Sequence, residues 1–129
     1  MNMKLVIVVP CYNEEEVLHE TTKRLKEKLD KLIKNKKIKK DSKVLYVNDG
    51  SKDNTWAIIE EINKNDKMFT GISLSRNRGH QNALVAGLLT AKEHADIIIS
   101  MDADLQDDIN AIDEMIEKNY NGCDIVYGV

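Results

Sequence analysis

Short apolar runs alternate along the chain with longer stretches whose apolar residues recur at helical spacing. Lys4–Val9 is a nearly continuous apolar run rich in β-branched residues, the pattern of a strand buried on both faces. Lys43–Val47, Met68–Leu74, Asp96–Met101 and Asp124–Tyr127 are further short runs of this kind. Leu18, Leu25, Leu29, Leu32 and Ile33 fall on one helical face and predict a helix from about Glu14 to Lys34. Trp56, Ile58, Ile59 and Ile62 mark a second helix, with Asp53 or Asn54 as its N-cap. Leu84, Leu88 and Ala91 mark a third, and Ile109, Ile112, Met115 and Ile116 a fourth with Asp107 or Asp108 near its cap. The order βαβαβαβαβ predicts an α/β fold, Rossmann-like, with a mostly parallel sheet, helices on both faces and right-handed crossovers. The length of 129 residues predicts one domain. There is no internal repeat, and Asn35–Lys40 reads as a Lys-rich loop rather than a linker.

Composition narrows the class. Hydrophobic residues at 42% and charged residues at 32% fit a folded chain, not a disordered one. No stretch approaches the roughly 18 apolar residues that span a bilayer. Leu5–Val9 is too short for a signal-peptide core and runs into Pro10, Cys11 and Tyr12 without a small-residue cleavage site. The formal charge of −3 hides a segregation. Lys23–Lys43 holds ten Lys and Arg24 against Glu27, Asp30 and Asp41, a local +8, while Ser100–Val129 holds eight acids and one Lys, a local −7. A uniformly basic nucleic-acid binder is excluded, and no nucleic-acid partner is expected. The basic stretch reads either as a solvated Lys face or as a surface drawn to anionic lipid, at about 1 kcal/mol per Lys near the membrane. Cys11 and Cys123 have neither metal spacing nor a disulfide framework, and they flank opposite strand ends. A reduced, cytoplasmic setting follows, with Cys11 a small packed thiol rather than a redox group.

In an open α/β sheet, ligands bind outside the carboxyl ends of the strands. Every polar cluster with chemical character falls at that edge. Pro10-Cys11-Tyr12-Asn13-Glu14-Glu15-Glu16 follows the first strand, Asn48-Asp49-Gly50-Ser51 the second, Ser75-Arg76-Asn77-Arg78-Gly79-His80 the third and Asp102-Ala103-Asp104-Leu105-Gln106 the fourth. Loops at the opposite edge are ordinary Lys/Asn connectors. The first loop lacks the Gly-x-Gly-x-x-Gly of dinucleotide sites, and no Gly-Lys-Ser/Thr phosphate loop is present. Asp102 and Asp104, two apart in a turn, can converge on Mg²⁺ or Mn²⁺, whose remaining positions take water and substrate phosphate. Such an ion stabilises a departing diphosphate. Acidic turns also arise as helix caps, so it is the setting at a strand end beside the other clusters that gives this pair weight. Asp49 can accept from a base N–H or a ribose hydroxyl, although Asp-Gly is also a turn signal. Tyr12 offers a ring for stacking on a base. Glu14, Glu15 and Glu16 suit a helix N-terminus, and Asn13 and Glu14 can also meet a ribose.

The strings VVPCYNEEE, VNDGSKDNT, SLSRNRGHQNALVAGL and MDADLQDD, in this order, resemble family 2 glycosyltransferases of the GT-A fold. The likeness is greatest to the polyprenyl-phosphate glycosyltransferases, the dolichol-phosphate-mannose-synthase-like and bactoprenol-glucosyl-transferase-like group, and it runs over essentially the whole chain. The resemblance implies inverting transfer of a sugar from a nucleotide-diphosphate donor, UDP-glucose or similar, to an acceptor such as a polyprenyl phosphate. It implies that Pro10, Tyr12, Asn13 and Glu14 line the nucleoside pocket, with Asp49 and Ser51 on the base or ribose. Arg76, Asp102, Ala103 and Gln106 would lie along the donor diphosphate, with Asp102 and Asp104 the metal ligands. Arg78 stands where relatives often carry an aromatic or apolar residue. Residues 1–129 would then be the N-terminal nucleotide-sugar-binding part of a catalytic domain at the cytoplasmic face of a membrane. The acceptor-side segment and transmembrane helices would lie outside it. No general base is identifiable, and the chain alone is expected to bind donor without turnover.

Rival readings remain. A nucleotidyltransferase needs a Gly-rich basic loop after the first strand, where this chain has Tyr-Asn-Glu-Glu-Glu. A receiver-type signalling domain wants a phosphoacceptor Asp after the third strand, where this chain has Ser75-Arg76. A catalytically silent nucleotide-sugar-binding module stays open.

Overall fold

The computed structural model describes residues 3–74, 80–92, 95–101, 103, 112 and 125–127, with backbone only for 80–84 and 125–127. The elements are β1 (Leu5–Cys11), α1 (Leu18–Lys34), β2 (Lys43–Asp49), α2 (Thr55–Asn65), β3 (Phe69–Leu74), α3 (His80–Ala91), β4 (Ile97–Ser100) and β5 (Ile125–Tyr127). The strands form one sheet in the order β3-β2-β1-β4-β5. Every neighbouring pair is parallel. This is the expected Rossmann-like α/β architecture. In the fourth predicted helix Ile112 is helical and fully buried, while Ile109, Met115, Ile116 and the cap candidates Asp107 and Asp108 lie outside the described residues.

The unbroken apolar runs are explained by burial on both sides. Successive side chains of a strand point to opposite faces. In β1, Leu5, Ile7, Val9 and Cys11 pack with α1 and α2, while Val6 and Val8 pack under α3. Val44 and Tyr46 of β2 join the first side, Leu45 and Val47 the second. The chain moves outward through β2 and β3 with α1 and α2 on one face, then returns across β1 with α3 on the other. Crossovers of one hand require that change of face. The return brings Gly87 of α3 onto the sheet so closely that a Cβ there would collide with Val8 and stand 2.9 Å from Val47 Cγ2.

Element boundaries depart from the sequence pattern where loops meet. The helical spacing predicts α1 from about Glu14, but it begins at Leu18. The preceding acids are occupied in a turn: Val17 N and Leu18 N both donate to Glu14 O at 3.1 Å, and Glu14 N donates to Thr55 Oγ1 at 2.8 Å. β1 and β2 each run two residues beyond their apolar runs, in a register that pairs Pro10 with Val47 and Cys11 with Asn48. A proline in a central strand would ordinarily lose a ladder bond. Here β4 pairs only as far as Ser100, opposite Val8, and Met101 N donates to Val8 O at 3.1 Å. Val8 and Pro10 share strand parity, so the N–H that Pro10 lacks would point past the end of β4. At the other end of α1, Lys36 N donates to Ile33 O and Lys37 N to Leu32 O, both at 3.0 Å. That is a Schellman stop with Lys36 at φ 59 in the place glycine usually takes. The Lys-rich loop that follows buries Ile38 and ties to the chain start through Lys39 N to Met3 O at 2.8 Å. Among the described residues no helix is long and apolar enough to cross a membrane.

Candidate functional site

The order of strands reverses direction at β1, between β2 and β4, the point at whose carboxyl edge open α/β sheets bind ligands. Pro10 is buried in β1, one residue before its end. Tyr12, the next residue but one, is 39% exposed, a large ring left at the surface. Asn13 takes φ 52, a left-handed conformation that asparagine tolerates better than most residues. From there the first loop is stitched to the loop after β2. Asn13 N donates to Ser51 Oγ at 3.0 Å, and Lys52 N donates back to Asn13 Oδ1 at 2.9 Å. Glu15 N donates to Asp53 Oδ2 at 3.4 Å, and Asn54 N donates to Glu15 Oε2 at 3.2 Å. With the Glu14–Thr55 bond, the two loops form one unit.

Asp49 is the last residue of β2, aligned with Leu74 and only 3% exposed. Gly50 follows at φ 65, which turns the chain sharply away from it. Asn48 beside it is equally buried and bonded at both side-chain polar atoms: its Nδ2 donates to Ser73 Oγ at 2.9 Å, and its Oδ1 accepts from Ser51 N at 3.2 Å. Asp53 lies below the usual carboxylate range. Burial opposes its ionisation, but the Thr55 hydroxyl and the Thr55 and Glu15 N–H groups outweigh that. So Asp53 serves α2 by its carboxylate, while Asn54 holds the N-cap position without a side-chain bond. Cys11 is a buried free thiol whose Sγ donates to Val9 O at 3.3 Å. Burial, aided by the Glu14 charge, pushes it far up, so it stays protonated and packed.

Tyr12, Asn13, Glu14 and Ser51 therefore stand in adjoining loops, with Asp49 at the end of β2 and Pro10 buried in β1. Arg76, Arg78, Asp102, Asp104, Gln106 and Cys123 lie outside the described residues, as does the side chain of His80. Ala103, between the two aspartates, is described. It is 3% exposed, belongs to the same buried cluster as Met101 and Ile112, and its carbonyl accepts a hydrogen bond from Thr21 Oγ1 of α1. Among the described residues no group of three or more His, Cys, Asp or Glu is placed to hold a metal. The Asp102 and Asp104 carboxylates, the candidate donors of the sequence, lie outside the described residues. Their hard oxygens suit Mg²⁺ or Mn²⁺ with water and phosphate completing the shell. Grooves of 300 Å³ between α1 and α2, and of 260 Å³ beneath α3 at the amino edge, lie away from these loops.

Sequence reasoning missed Thr21, Asn48, Thr55 and the latching roles of Asp53 and Glu15. Thr21 carried a usable signal. It lies on the buried stripe of α1 between Leu18 and Leu25, and a polar group on such a stripe needs a partner.

The pattern of the family described as Glycosyl transferase family 2 matches residues 6–129. The uncharacterized glycosyltransferase YkoT of Bacillus subtilis (strain 168) is 55% identical over 125 residues, covering 97% of this chain and 37% of that protein. The bactoprenol glucosyl transferase of Shigella phage SfV is 38% identical over 129 residues, covering 96% of this chain and 38% of that protein. The chain thus spans 37–38% of the length of these relatives. The mannosyltransferase PcManGT from Pyrobaculum calidifontis, solved in complex with GDP-Man and Mn²⁺, shares the fold with a TM-score of 0.63 at 20% identity, over 81% of this chain and 28% of that one.

Proposed function

The chain belongs to glycosyl transferase family 2, and from that premise we propose that it forms the donor-binding part of an inverting, metal-dependent hexosyltransferase. The donor is a nucleotide-diphosphate sugar, UDP-glucose in the first instance, and the acceptor a polyprenyl phosphate. The observation that carries this reading is the junction of loops at the carboxyl edge. An exposed Tyr12 and a buried Asp49 stand over adjacent strands, and α1 links the same edge to the Ala103 turn.

Each residue then has a task. Tyr12 stacks on the base, over Pro10, while Asp49 accepts from the base or ribose. Asn13, Glu14 and Ser51 complete the nucleoside end. Arg76, with a guanidinium suited to phosphate oxygens, lies along the diphosphate beside Ala103 and Gln106. Asp102 and Asp104 would hold a divalent cation, which when bound neutralises charge on the leaving diphosphate. An acceptor oxygen attacks the anomeric carbon on the face opposite the diphosphate. The bond to the diphosphate breaks, its electron pair leaves with the nucleotide, and configuration inverts. A lipid-phosphate acceptor is already anionic at neutral pH, so it places little demand on a general base. Support for that acceptor comes from the likeness to the phage bactoprenol glucosyl transferase, and with a lipid acceptor the whole protein would work at the cytoplasmic face of a membrane.

Thermal unfolding with a set of nucleotide sugars, with and without Mn²⁺, tests the reading. A ligand at a hundredfold excess over its Kd stabilises by about 2.7 kcal/mol. UDP-glucose with Mn²⁺ is expected to raise Tm, Asp104→Ala to remove the metal-dependent part, and Asp49→Asn to weaken both. No shift with any donor would overturn donor binding. The 129-residue chain is expected not to turn over, and transfer by it to a polyprenyl phosphate would overturn that part.

A further inference from the structure

The hydroxyl of a threonine inside a helix usually turns back to the carbonyl four residues earlier. Thr90 of α3 does this, donating to Ala86 O at 2.8 Å. Thr21 of α1 does not. It is 2% exposed, and its hydroxyl donates instead across 82 residues of sequence to the Ala103 carbonyl. That carbonyl belongs to the planar peptide unit joining Ala103 to residue 104, so fixing its oxygen fixes the orientation of the unit. On the other side of residue 102, Met101 N is held by Val8 O at 3.1 Å. The two tethers lie on either side of residue 102, one on the central strand and one on α1, and the second is on the peptide unit that leads to residue 104. The first turn of α1 is itself tied to the nucleoside loops, through Glu14 O to Leu18 N and Glu14 N to Thr55 Oγ1.

We propose that Thr21 is a positioning residue for the metal and diphosphate motif: its hydroxyl holds the Ala103 carbonyl and so sets the placement of Asp102 and Asp104 for a divalent cation. This rests on the reading of those aspartates given above. A bond from a neighbouring group that orients metal ligands is typically worth about 10–100-fold in metal affinity. Thr21→Val keeps the shape and deletes the donor. Thr21→Ala deletes it without any risk of crowding, and Thr21→Ser restores it.

The test is a Mn²⁺ titration followed by electron paramagnetic resonance, in the presence of UDP, on the protein and on these variants beside Asp104→Ala. UMP binding without metal serves as the internal measure of an intact nucleoside end. Thr21→Val and Thr21→Ala are expected to weaken Mn²⁺ about tenfold or more, with UMP binding unchanged and Thr21→Ser close to the parent protein. Undiminished Mn²⁺ affinity in both hydroxyl-deleted variants, alongside its loss in Asp104→Ala, would overturn the role of Thr21 alone. Equal weakening of UMP and Mn²⁺ binding would also overturn it, since a general loosening of the fold acts on both. If the parent and Asp104→Ala proteins bind Mn²⁺ alike, the metal assignment itself fails, and the Thr21 proposal with it.

Discussion

Asn13 combines two properties that few residue types supply together. Its backbone sits at φ 52, and its side-chain oxygen receives Lys52 N. Asn13→Gly keeps the backbone freedom but loses the acceptor, whereas Asn13→Ala loses the acceptor and strains the backbone. Urea unfolding is expected to show a loss of about 1 kcal/mol for the glycine variant and about 2 kcal/mol for the alanine variant. Equal losses would mean that the left-handed conformation carries no weight. At this scale the sequence exposes candidates but not their commitments. Asn13 and Ser51 are legible as polar residues at a strand end, but their pairing is not, because it joins positions 38 apart in the chain. The interior state of Cys11 is legible from its place between an apolar strand and a polar loop.

The seam between α1 and α2 shows what elements add. Lys26 Nζ stands 2.9 Å from Asp66 Oδ2, and Asp66 Oδ1 accepts from Met68 N at 3.0 Å. Burial disfavours charge on Asp66, but the Met68 N–H and the Lys26 ammonium prevail and hold the carboxyl below its ordinary range. Such a group contributes stability above its unfolded pKa, about 3.9, and loses it as pH falls through the folded value. Lys26 runs the other way. The Asp66 bond raises it against a smaller burial effect, so its share is present below its unfolded pKa and disappears as pH rises through the folded value. With Lys26 39% exposed, solvent screening limits the pair to about 0.5–1 kcal/mol. Asp66→Asn, which keeps an acceptor for Met68, is expected to cost that much at pH 7. The difference from the parent protein should shrink toward zero as pH falls through the lowered folded value of Asp66, as read from urea midpoints across pH. The pairing was not legible from periodicity, which reports the apolar stripe of each helix and says nothing of which polar flanks meet. The start of α1 was misplaced for a related reason: an acidic run favours a helix N-terminus locally, but Thr55, 41 residues away, claims the Glu14 amide.

Among the described residues of the whole molecule, two apolar clusters share every inner strand. Removing α3 from Val8 and Val47 would expose the same strands that support α1 and α2, so neither side can come apart alone. Unfolding is expected to be a single transition, with Trp56 fluorescence on the α2 side and far-UV circular dichroism giving the same midpoint. Separated midpoints would show that the two faces open independently. The fold class was legible at this scale because strands buried on both sides leave unbroken β-branched runs. The close seating of α3 was not, since one glycine among the apolar positions of a helix looks like a weakness until the strand beneath it is seen. The charge segregation resolves in part. Lys23, Arg24, Lys31, Lys34, Lys36, Lys37, Lys39 and Lys40 are exposed on α1 and the loop beyond it, away from the edge that carries Tyr12 and Asp49.

The stitched loops also bear on how tightly a ligand can be held. Fixing the backbone of a free loop takes roughly 1–2 kcal/mol per residue in lost conformational entropy. In this protein Asn13, Glu14 and Glu15 are already tied to Ser51, Lys52, Asp53, Asn54 and Thr55 before any ligand arrives. That ordering belongs to the folding equilibrium and not to the encounter. A nucleotide meeting this edge keeps more of its contact energy as affinity, and the same rigidity narrows the range of shapes the edge can accept.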